Sequence, residues 1–367
     1  MAEKILIDGN YLEGGGQIAR TALALSTITK KGFIVDNIRK NRPEQGLKNQ
    51  HLYCIKALEE LCGVSADGAE LGSTRLEFES RKILPKNLNI DIGTAGSVSL
   101  VLQSVLLPCM FSEKRVHIKI HGGTDTSWSI PFNFFSEIIL PQIRRYCEKI
   151  DAKLISRGYY PKGGGYIEIV IAPRFFAEKF LSYHDFISAV KNAVPKINLV
   201  EQGNLIHIKG ISYASMDLQD AQVAERQASS AKSYLSKLGY PVNIRLEYSD
   251  TLSTGSGIVL WAVFSKNKDD VDFMNPIVLG ADSLGEKGKR AEIVGKEAAE
   301  KLEKEIISKA PVDSHTADNL IPFIGLFGGA IMVSEITNHT LTNIYTAERF
   351  LGNVFKVDNE RKIISAD

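Results

Sequence analysis

The chain has 367 residues, of which 44% are apolar and 24% charged, and this predicts a globular protein of roughly two or three domains at about 100–200 residues each. Its 44 Lys and Arg residues nearly balance 43 Asp and Glu residues, so the net charge of +1 excludes a polybasic tail that coats nucleic acid, and an anionic partner needs a local basic cluster. The four cysteines form no CxxC pair, which predicts buried, reduced thiols and excludes a zinc site or a disulfide framework.

Strand and helix patterns alternate through the first third of the chain. The predicted order is a strand at 5–7, a helix with its apolar face over Ile18–Ile28, a strand at 33–38, a helix with an apolar stripe from Leu47 to Leu61, strands at 76–79 and 88–92, a helix at 98–111 and a strand at 116–120. The helix at 98–111 is apolar nearly all round, which predicts an internal position. Because it is too short to span a bilayer and no apolar leader precedes the first strand, we expect a cytoplasmic protein that is neither membrane-spanning nor secreted.

The second half of the chain repeats this rhythm and then breaks it. A glycine triplet at 163–165 precedes a strand at 166–171 and echoes the triplet at 14–16, which indicates an internal repeat. The stretch 195–278 then predicts a compact strand–helix–strand–strand unit, at 205–211, 221–238, 242–248 and 257–264. The remaining elements are a long helix at 289–310, a strand at 331–333, a helix near 340–351 and two final strands. We therefore predict an α+β protein whose large domain covers 1–194 and 279–367, with a small α/β domain inserted at 195–278.

The first candidate functional motif is EGGGQ at 13–17, with Arg20 one helical turn later. Glycines ahead of a helix let backbone amides approach an anion closely, and the helix dipole favours negative charge there. A carboxylate at the same place suits a divalent cation that bridges to a phosphate. The alternative is a tight strand-to-helix turn in which Glu13 caps the helix, and glycine spacing alone favours that alternative.

A second candidate precedes and enters the second helix, where five hydrogen-bond donors fall within thirteen residues: Arg39, Arg42, Lys48, Gln50 and His51. Two arginines three residues apart can grip phosphate oxygens bidentately. The alternative is a solvated basic turn. Solubility requires neither the amide nor the imidazole, so these two side chains favour a phosphate site.

Three isolated polar residues complete the candidates. Gln103 is the central polar residue of an apolar helix, and an unpaired buried amide costs about 1–3 kcal/mol, so it is either a satisfied structural amide or part of a site. His315 and His339 each open a predicted helix, where the dipole disfavours the protonated imidazole. Alone, either histidine is more typical of a cap or a surface position. The sequence contains no HExxH, Walker A or GxSxG motif.

Together, these segments resemble the RNA 3′-terminal phosphate cyclase family over almost the whole chain. The matching stretches are DGNYLEGGGQIART (8–21), IRKNRPEQGLKNQH (38–51), AELGSTRLEF (69–78), GTAGSVSLVLQSVLLP (93–108), GGTDTSWSIP (122–131), RGYYPKGGG (157–165), VDSHTADNL (312–320) and NHTLTNIYTAERF (338–350). Their occurrence in this order is far more specific than any single glycine motif.

The resemblance implies a large domain of repeated βαβαββ units with a smaller domain inserted. It also implies an ATP-dependent ligase reaction in which a histidine attacks the α-phosphate of ATP and becomes adenylylated. The AMP then passes to the 3′-phosphate of an RNA, and the vicinal 2′-OH closes a 2′,3′-cyclic phosphate. Activation by AMP divides one difficult step into easier ones.

The resemblance also implies a role for each matching residue. The family's nucleophile corresponds to His339, and its Mg²⁺- or Mn²⁺-binding glutamate corresponds to Glu13. ATP and its phosphates are expected to contact Arg20, Gln103, Pro131, His315, Asp318 and Asn319. The RNA phosphate is expected to contact Arg39, Arg42, Gln50 and His51.

Two positions depart from the family pattern. His315 occupies the place of a stacking tyrosine in some bacterial members, and Asp318 with Asn319 replaces an Asp-Gln pair. An imidazole can still stack on adenine. The family also contains a non-catalytic branch that acts in pre-rRNA processing and lacks the histidine, and the presence of His339 favours the enzyme. A weaker alternative, from fold alone, is an enzyme of phosphorylated small metabolites.

Overall fold

The computed structural model describes residues 3–267 and 270–367. Helices pack on four small mixed sheets, so the predicted α+β class is confirmed. The first unit contains β1 (Ile5–Asp8), α1 (Gln17–Thr29), β2 (Phe33–Asp36), α2 (Asn49–Cys62) and β3 (Leu76–Phe78). In its sheet β2 lies parallel to β1 and antiparallel to β3.

The second unit repeats this arrangement with one more strand. It consists of β4 (Leu88–Asp91), α3 (Val98–Met110), β5 (Val116–Gly122), a helical segment, β6 (Cys147–Ser156) and β7 (Gly165–Pro173). The helical segment joins α4 (Phe132–Phe134), a π-helical turn (Phe135–Ile139), α5 (Leu140–Ile143) and a 3₁₀ turn (Arg144–Tyr146). The sheet order is β4-β5-β7-β6, with β4 parallel to β5.

The third unit begins with α6 (Tyr183–Ala193) and β8 (Ile197–Leu199) and is then interrupted. The interruption forms its own sheet, in the order β10-β9-β11-β12. Its elements are β9 (Asn204–Ser215), α7 (Val223–Leu235), β10 (Val242–Ser249), β11 (Ser256–Ser265), β12 (Ile277–Leu284) and α8 (Ala291–Ile307). We call this segment the insert.

After the insert the third unit is completed by α9 (Ser314–Phe327), β13 (Gly329–Met332), α10 (Asn338–Leu351), β14 (Phe355–Asp358) and β15 (Ile363–Ala366). β13 pairs in parallel with β8, which precedes the insert by sequence, and antiparallel with β15. The order β8-β13-β15-β14 therefore reproduces the order of the second sheet.

Most predicted elements are present within one to three residues of their expected bounds, and the four cysteines are free and buried as predicted. The structure adds β12 and α8 to the insert, because β12 pairs with β11 and α8 packs on α7. The predicted boundary at 278 falls inside β12, and the division of the chain into domains stays a prediction. In the described part of the chain, no helix is both long and apolar enough to cross a membrane.

The core centres on α1 and α3. Every residue of α1 is buried, and so is every residue of α3 except Gln103. A helix buried on all sides holds its polar side chains in fixed positions, because neighbouring atoms leave them little freedom. The polar groups of α1 and α3 that face the functional site are therefore held by the core itself.

An ion pair centred on Arg157 joins the insert to the second unit. Arg157 is 1% exposed and donates from Nη1 to Asp125 Oδ2 at 3.2 Å and from Nη2 to Asn133 Oδ1 at 2.7 Å. Its Nε donates to Glu247 on β10 at 2.9 Å, and its guanidinium lies 3.6 Å from the ring centroid of Tyr213 on β9. One side chain thus connects the loop after β5 with two strands of the insert.

We predict that Arg157→Met lowers the free energy of unfolding by about 3–5 kcal/mol, because it leaves the fully buried Asp125 carboxylate without its charge partner. The matched control is Arg75→Met, which breaks an exposed pair with Asp36 and is expected to change stability little, because solvent screens the two charges. Urea unfolding of both variants measures the difference. Equal losses would contradict the anchoring role of Arg157.

Candidate functional site

The candidate site is a cleft at which three helices begin. Gln17, His315 and His339 lie in the first turns of α1, α9 and α10, and all three line the cleft. The first N–H groups of a helix have no partner within it, and the macrodipole makes that end positive. Three such ends at one cleft create an environment suited to a phosphate-bearing ligand.

His339 is held in place by local capping and by a contact from α1. Thr337 caps α10, since its Oγ1 accepts a 3.0 Å hydrogen bond from the Thr340 backbone N–H. Gln17 then grips His339 twice: its Nε2 donates to the His339 carbonyl at 2.8 Å, and its Oε1 bonds to the imidazole Nδ1. The imidazole is consequently fixed in orientation.

The Gln17 contacts also determine where the imidazole carries its proton. Because the amide nitrogen of Gln17 donates to a carbonyl, the group that faces the imidazole is its oxygen, which can only accept. Nδ1 must therefore carry a hydrogen. The lone pair of the neutral ring is then at Nε2, on the side that faces Glu13.

Glu13 links His339 to the basic cluster. Its Oε2 lies 3.0 Å from His339 Nε2 and 3.2 Å from Arg42 Nη2. Arg42 Nη2 donates to this carboxylate oxygen, so the Glu13 carboxylate lies between the guanidinium and the imidazole. Glu13 and Arg42, two predicted site residues of opposite charge, are thus in contact next to His339, the predicted nucleophile.

A second chain of hydrogen bonds runs from α1 through α3 to α9. Arg20 Nε donates to Gln103 Oε1 at 3.0 Å, and Gln103 Nε2 donates to Asn319 Oδ1 at 3.2 Å. Asn319 in turn donates to the His315 carbonyl at 2.8 Å. Burial lowers the pKa of Arg20 to about 10, which leaves a cation at neutral pH. The polar position inside the apolar helix α3 is therefore a connecting amide of the site.

Asp318 connects α9 with α10. Its Oδ1 accepts hydrogen bonds from Thr340 Oγ1 at 2.6 Å and Thr337 Oγ1 at 3.3 Å. Its backbone carbonyl accepts from Asn343 at 2.8 Å. Burial raises the pKa of the Asp318 carboxyl, while the threonine hydroxyls lower it in part. The carboxylate is thus used to hold the two helix starts together.

His51 lies under the glycine turn. It is 1% exposed, and its Nδ1 accepts a 2.9 Å hydrogen bond from the Lys48 backbone N–H, so Nε2 carries the proton. Nε2 has no hydrogen-bond partner within residues 3–267 and 270–367, and it faces Gly16. Burial, with help from Arg20 and Arg39, lowers the pKa of His51 well below its usual value, which keeps the ring neutral.

Arg39, Gln50 and Pro131 are not among the residues that line the cleft, although Pro131 directly follows Ile130, which does. Arg39 has a backbone φ of 57° and donates to the Glu44 carbonyl at 3.2 Å, and burial together with Arg42 lowers its pKa. Gln50 lies half-buried in the first turn of α2, and Pro131 is buried at the start of α4. Their functions stay predictions.

The cleft also contains residues that sequence reasoning did not select. Gln17 is one of them, although it closes the EGGGQ motif, and a polar residue directly after a glycine triplet at a helix start is a sequence signal for such a contact. Trp128, Asp282 and Lys301 line the cleft as well, the last two from the insert. Nothing local in the sequence connects positions 282 and 301 with residues near the chain's two ends.

The predicted metal site depends on Glu13 alone. Within the described residues, no group of three or more His, Cys, Asp or Glu side chains is placed to hold a metal ion. Mg²⁺ commonly binds through one or two carboxylates and takes its other ligands from substrate phosphates and water. A single carboxylate beside helix starts that attract phosphates therefore fits a cation that arrives with a nucleotide.

A cleft at three helix starts suits a phosphate-bearing ligand, and comparison with known proteins gives the family of the chain. The family model of RNA 3′-terminal phosphate cyclase matches residues 11–357. The chain is 42% identical to the RNA 3′-terminal phosphate cyclase of Pyrococcus abyssi, over 97% of this chain and 96% of that protein. It is 38% identical to that of Archaeoglobus fulgidus, over 98% and 99%.

The chain belongs to the RNA 3′-terminal phosphate cyclase family. The proteins of the same name in Saccharolobus islandicus, at 41% identity over 97% of each chain, widen the range of similar archaeal proteins. The predictions of this family and of an enzyme within this ligase family are confirmed.

We predict that Gly16→Ala distorts the glycine turn and lowers the free energy of unfolding by about 1–3 kcal/mol, because a Cβ there would overlap the imidazole of His51. The backbone of Gly16, at φ −64° and ψ −8°, is one that alanine adopts freely, so only the lack of space opposes the change. Gly15→Ala is the matched control, since its Cβ would meet nothing closer than 3.8 Å. Denaturant unfolding compares the two; an equally stable pair would contradict the tight contact.

Proposed function

We propose that the chain converts an RNA 3′-phosphate into a 2′,3′-cyclic phosphate at the expense of ATP, through a covalent His339–AMP intermediate. The observation that carries this proposal is the position of His339 at the start of α10, with Nδ1 bonded to Gln17 and Nε2 beside Glu13. An imidazole whose one nitrogen is held protonated presents the other as a nucleophile.

In the first step Nε2 of His339 attacks the α-phosphorus of ATP. An N–P bond forms, the bond to the bridging oxygen breaks, and pyrophosphate leaves. Gln17 keeps the proton on Nδ1 during this step, so the lone pair of Nε2 forms the new bond. The positive ends of α1, α9 and α10 stabilise charge that develops on the phosphate oxygens.

In the second step an oxygen of the RNA 3′-phosphate attacks the adenylate phosphorus, and the N–P bond breaks to give RNA(3′)pp(5′)A. In the third, the vicinal 2′-OH attacks the RNA phosphorus, its proton passes to water, and the bond to AMP breaks, which releases AMP and closes the cyclic phosphate. Arg42 lies beside Glu13 and His339 and binds the phosphates of both ATP and RNA. Arg39, Gln50 and His51 bind the RNA phosphate.

The nucleotide is held by the chain of groups that ends at α9. Arg20 supplies a buried cation, Gln103 and Asn319 fix its direction, and Asp318 secures the helix starts. His315 and Pro131 are the groups assigned to the adenine. A divalent cation, Mg²⁺ or Mn²⁺, would be held by Glu13 and would neutralise phosphate charge.

Incubation with ATP, a divalent cation and a 3′-phosphorylated oligoribonucleotide, followed by analysis of the RNA end, tests the proposal. We expect a 2′,3′-cyclic end with the native chain and an unchanged 3′-phosphate with His339→Ala. A native chain that neither cyclises RNA nor forms an adenylate would contradict the proposal and favour the non-catalytic role in pre-rRNA processing.

We predict that Gln17→Ala slows self-adenylation by roughly 10- to 100-fold, the range found when a metal-binding histidine loses the partner that orients it. Gln17→Glu keeps an acceptor for Nδ1 but adds a negative charge that favours imidazolium, so the acid limb of its pH–rate profile should move to higher pH. Gln219→Ala, on the exposed surface of the insert, is the control. An unshifted profile for Gln17→Glu would argue that Gln17 serves the fold alone.

We predict that Glu13→Gln reduces self-adenylation strongly at low Mg²⁺ or Mn²⁺ and recovers in part at high concentration, because the side chain keeps its volume and loses its charge. The assay measures adenylate formation as a function of metal concentration. Glu60→Gln, an exposed position on α2, provides the control. If Glu13→Gln and the native chain show the same metal dependence, Glu13 does not hold the cation.

A further inference from the structure

The two tryptophans of the chain occupy opposite environments. Trp261, on β11 of the insert, is 8% exposed, whereas Trp128, in the loop that follows β5, is 80% exposed. Burying a large aromatic ring against another molecule is favourable, and Trp is enriched where proteins bind other molecules. An indole left open to solvent inside the lining of a functional cleft therefore indicates a ligand contact.

The loop that carries Trp128 is held by hydrogen bonds from residues before and after Trp128 in the sequence. The next residue, Ser129, bonds through Oγ to Ser97 Oγ at 2.6 Å and to Thr126 Oγ1 at 2.9 Å. The backbone N–H of Phe132 donates to the Thr124 carbonyl at 2.9 Å. Because the backbone is already ordered, the binding of a ligand that stacks on the indole costs little conformational entropy in the loop.

The other groups around Trp128 suit a single-stranded nucleic acid. Lys301 of α8 lines the same cleft and is exposed, and its Nζ is held near the cleft by a 2.9 Å bond to the Asp282 carbonyl. Proteins bind single-stranded RNA by stacking bases on aromatic side chains while cations attract the backbone. Trp128 and Lys301 supply these two elements next to His339.

The proposed reaction places an RNA base close to this ring. The RNA 3′-phosphate must reach the adenylate on His339, so the ribose and base of the same nucleotide lie within one nucleotide of that atom. Adenine already has two assigned contacts, His315 in the first turn of α9 and Pro131, three residues after Trp128. We infer that Trp128 stacks on the base of the 3′-terminal nucleotide of the RNA, an inference that rests on the proposed function.

Tryptophan fluorescence tests the contact directly. In Trp261→Phe the remaining emission comes from Trp128 alone. A 3′-phosphorylated oligoribonucleotide should quench this emission, whereas ATP alone, or an oligonucleotide whose 3′-terminal nucleotide lacks its base, should quench it far less. Equal quenching by ATP alone would assign Trp128 to the nucleotide and overturn the inference.

Kinetics with the same RNA substrates provide a second test. Trp128→Ala should raise the KM for RNA by about tenfold, as expected for the loss of one stacked base, without a matching rise in the KM for ATP. Trp128→Phe should recover most of the loss. If the ring contacts the terminal base, the abasic RNA raises the KM of the native enzyme as much as Trp128→Ala raises the KM for normal RNA. Trp128→Ala with the abasic RNA then raises the KM little further.

Two outcomes separate this inference from the proposed function. If the native enzyme adenylates itself and cyclises RNA but Trp128→Ala leaves the KM for RNA unchanged, the stacking contact is absent and the proposed function stands. If the native chain shows neither half-reaction, the proposed function is wrong and the inference falls with it. Tyr160→Ala, an exposed aromatic outside the cleft lining, is the control for the loss of a surface ring.

Discussion

The double hydrogen bond between Gln17 and His339 is the contact on which the rest of the site depends. It joins the first turns of α1 and α10, which are 322 residues apart in the chain. An imidazole acts as a nucleophile at one nitrogen only when the other carries the proton. A glutamine amide enforces that state without adding charge, since its carbonyl oxygen accepts from Nδ1 while its NH₂ group is engaged elsewhere. The whole fold must be complete before this contact exists.

The repeated units explain how distant residues reach one cleft. The starts of α1, α9 and α10, which belong to the first and third units, lie at the same cleft. The buried helix α3 of the second unit provides Gln103, which bonds to Arg20 on α1 and to Asn319 on α9. The insert interrupts the third unit between β8 and α9, so one of its ends returns directly to the cleft. Its α8 and β12 contribute Lys301 and Asp282 to the cleft wall, and Arg157 anchors its sheet. The insert is thus a structural part of the site.

Local pattern predicted most of the helices and alternating strands, because hydrophobic periodicity reflects the burial of one face, but it did not predict β6, α6 or β12. It did not predict β8, a three-residue strand whose only strand partner in the described residues is β13, more than one hundred residues later. The predicted insert boundary at 278 falls inside β12, which pairs antiparallel with β11, the strand that precedes it in the chain. A three-residue strand stabilised by a distant partner, as β8 is, carries little signal of its own.

Among site residues, the sequence identified side chains by type and motif but did not determine their contacts. The pairing of Glu13 with both His339 and Arg42 depends on three separate segments, and so does the path from Arg20 through Gln103 to Asn319. Gln17 went unassigned because its partner is remote. Trp128 went unassigned because nothing in its neighbours indicates that the ring is exposed.

The most direct test of this account is the location of the adenylate. The native chain is incubated with ATP labelled at the α-phosphate and a divalent cation, without RNA, and the labelled peptide is identified. We expect the label on His339, in a phosphoramidate that survives alkali and is lost in acid. Label on His315 or any other residue, or no label on a folded chain, would contradict the assignment of His339 as the nucleophile.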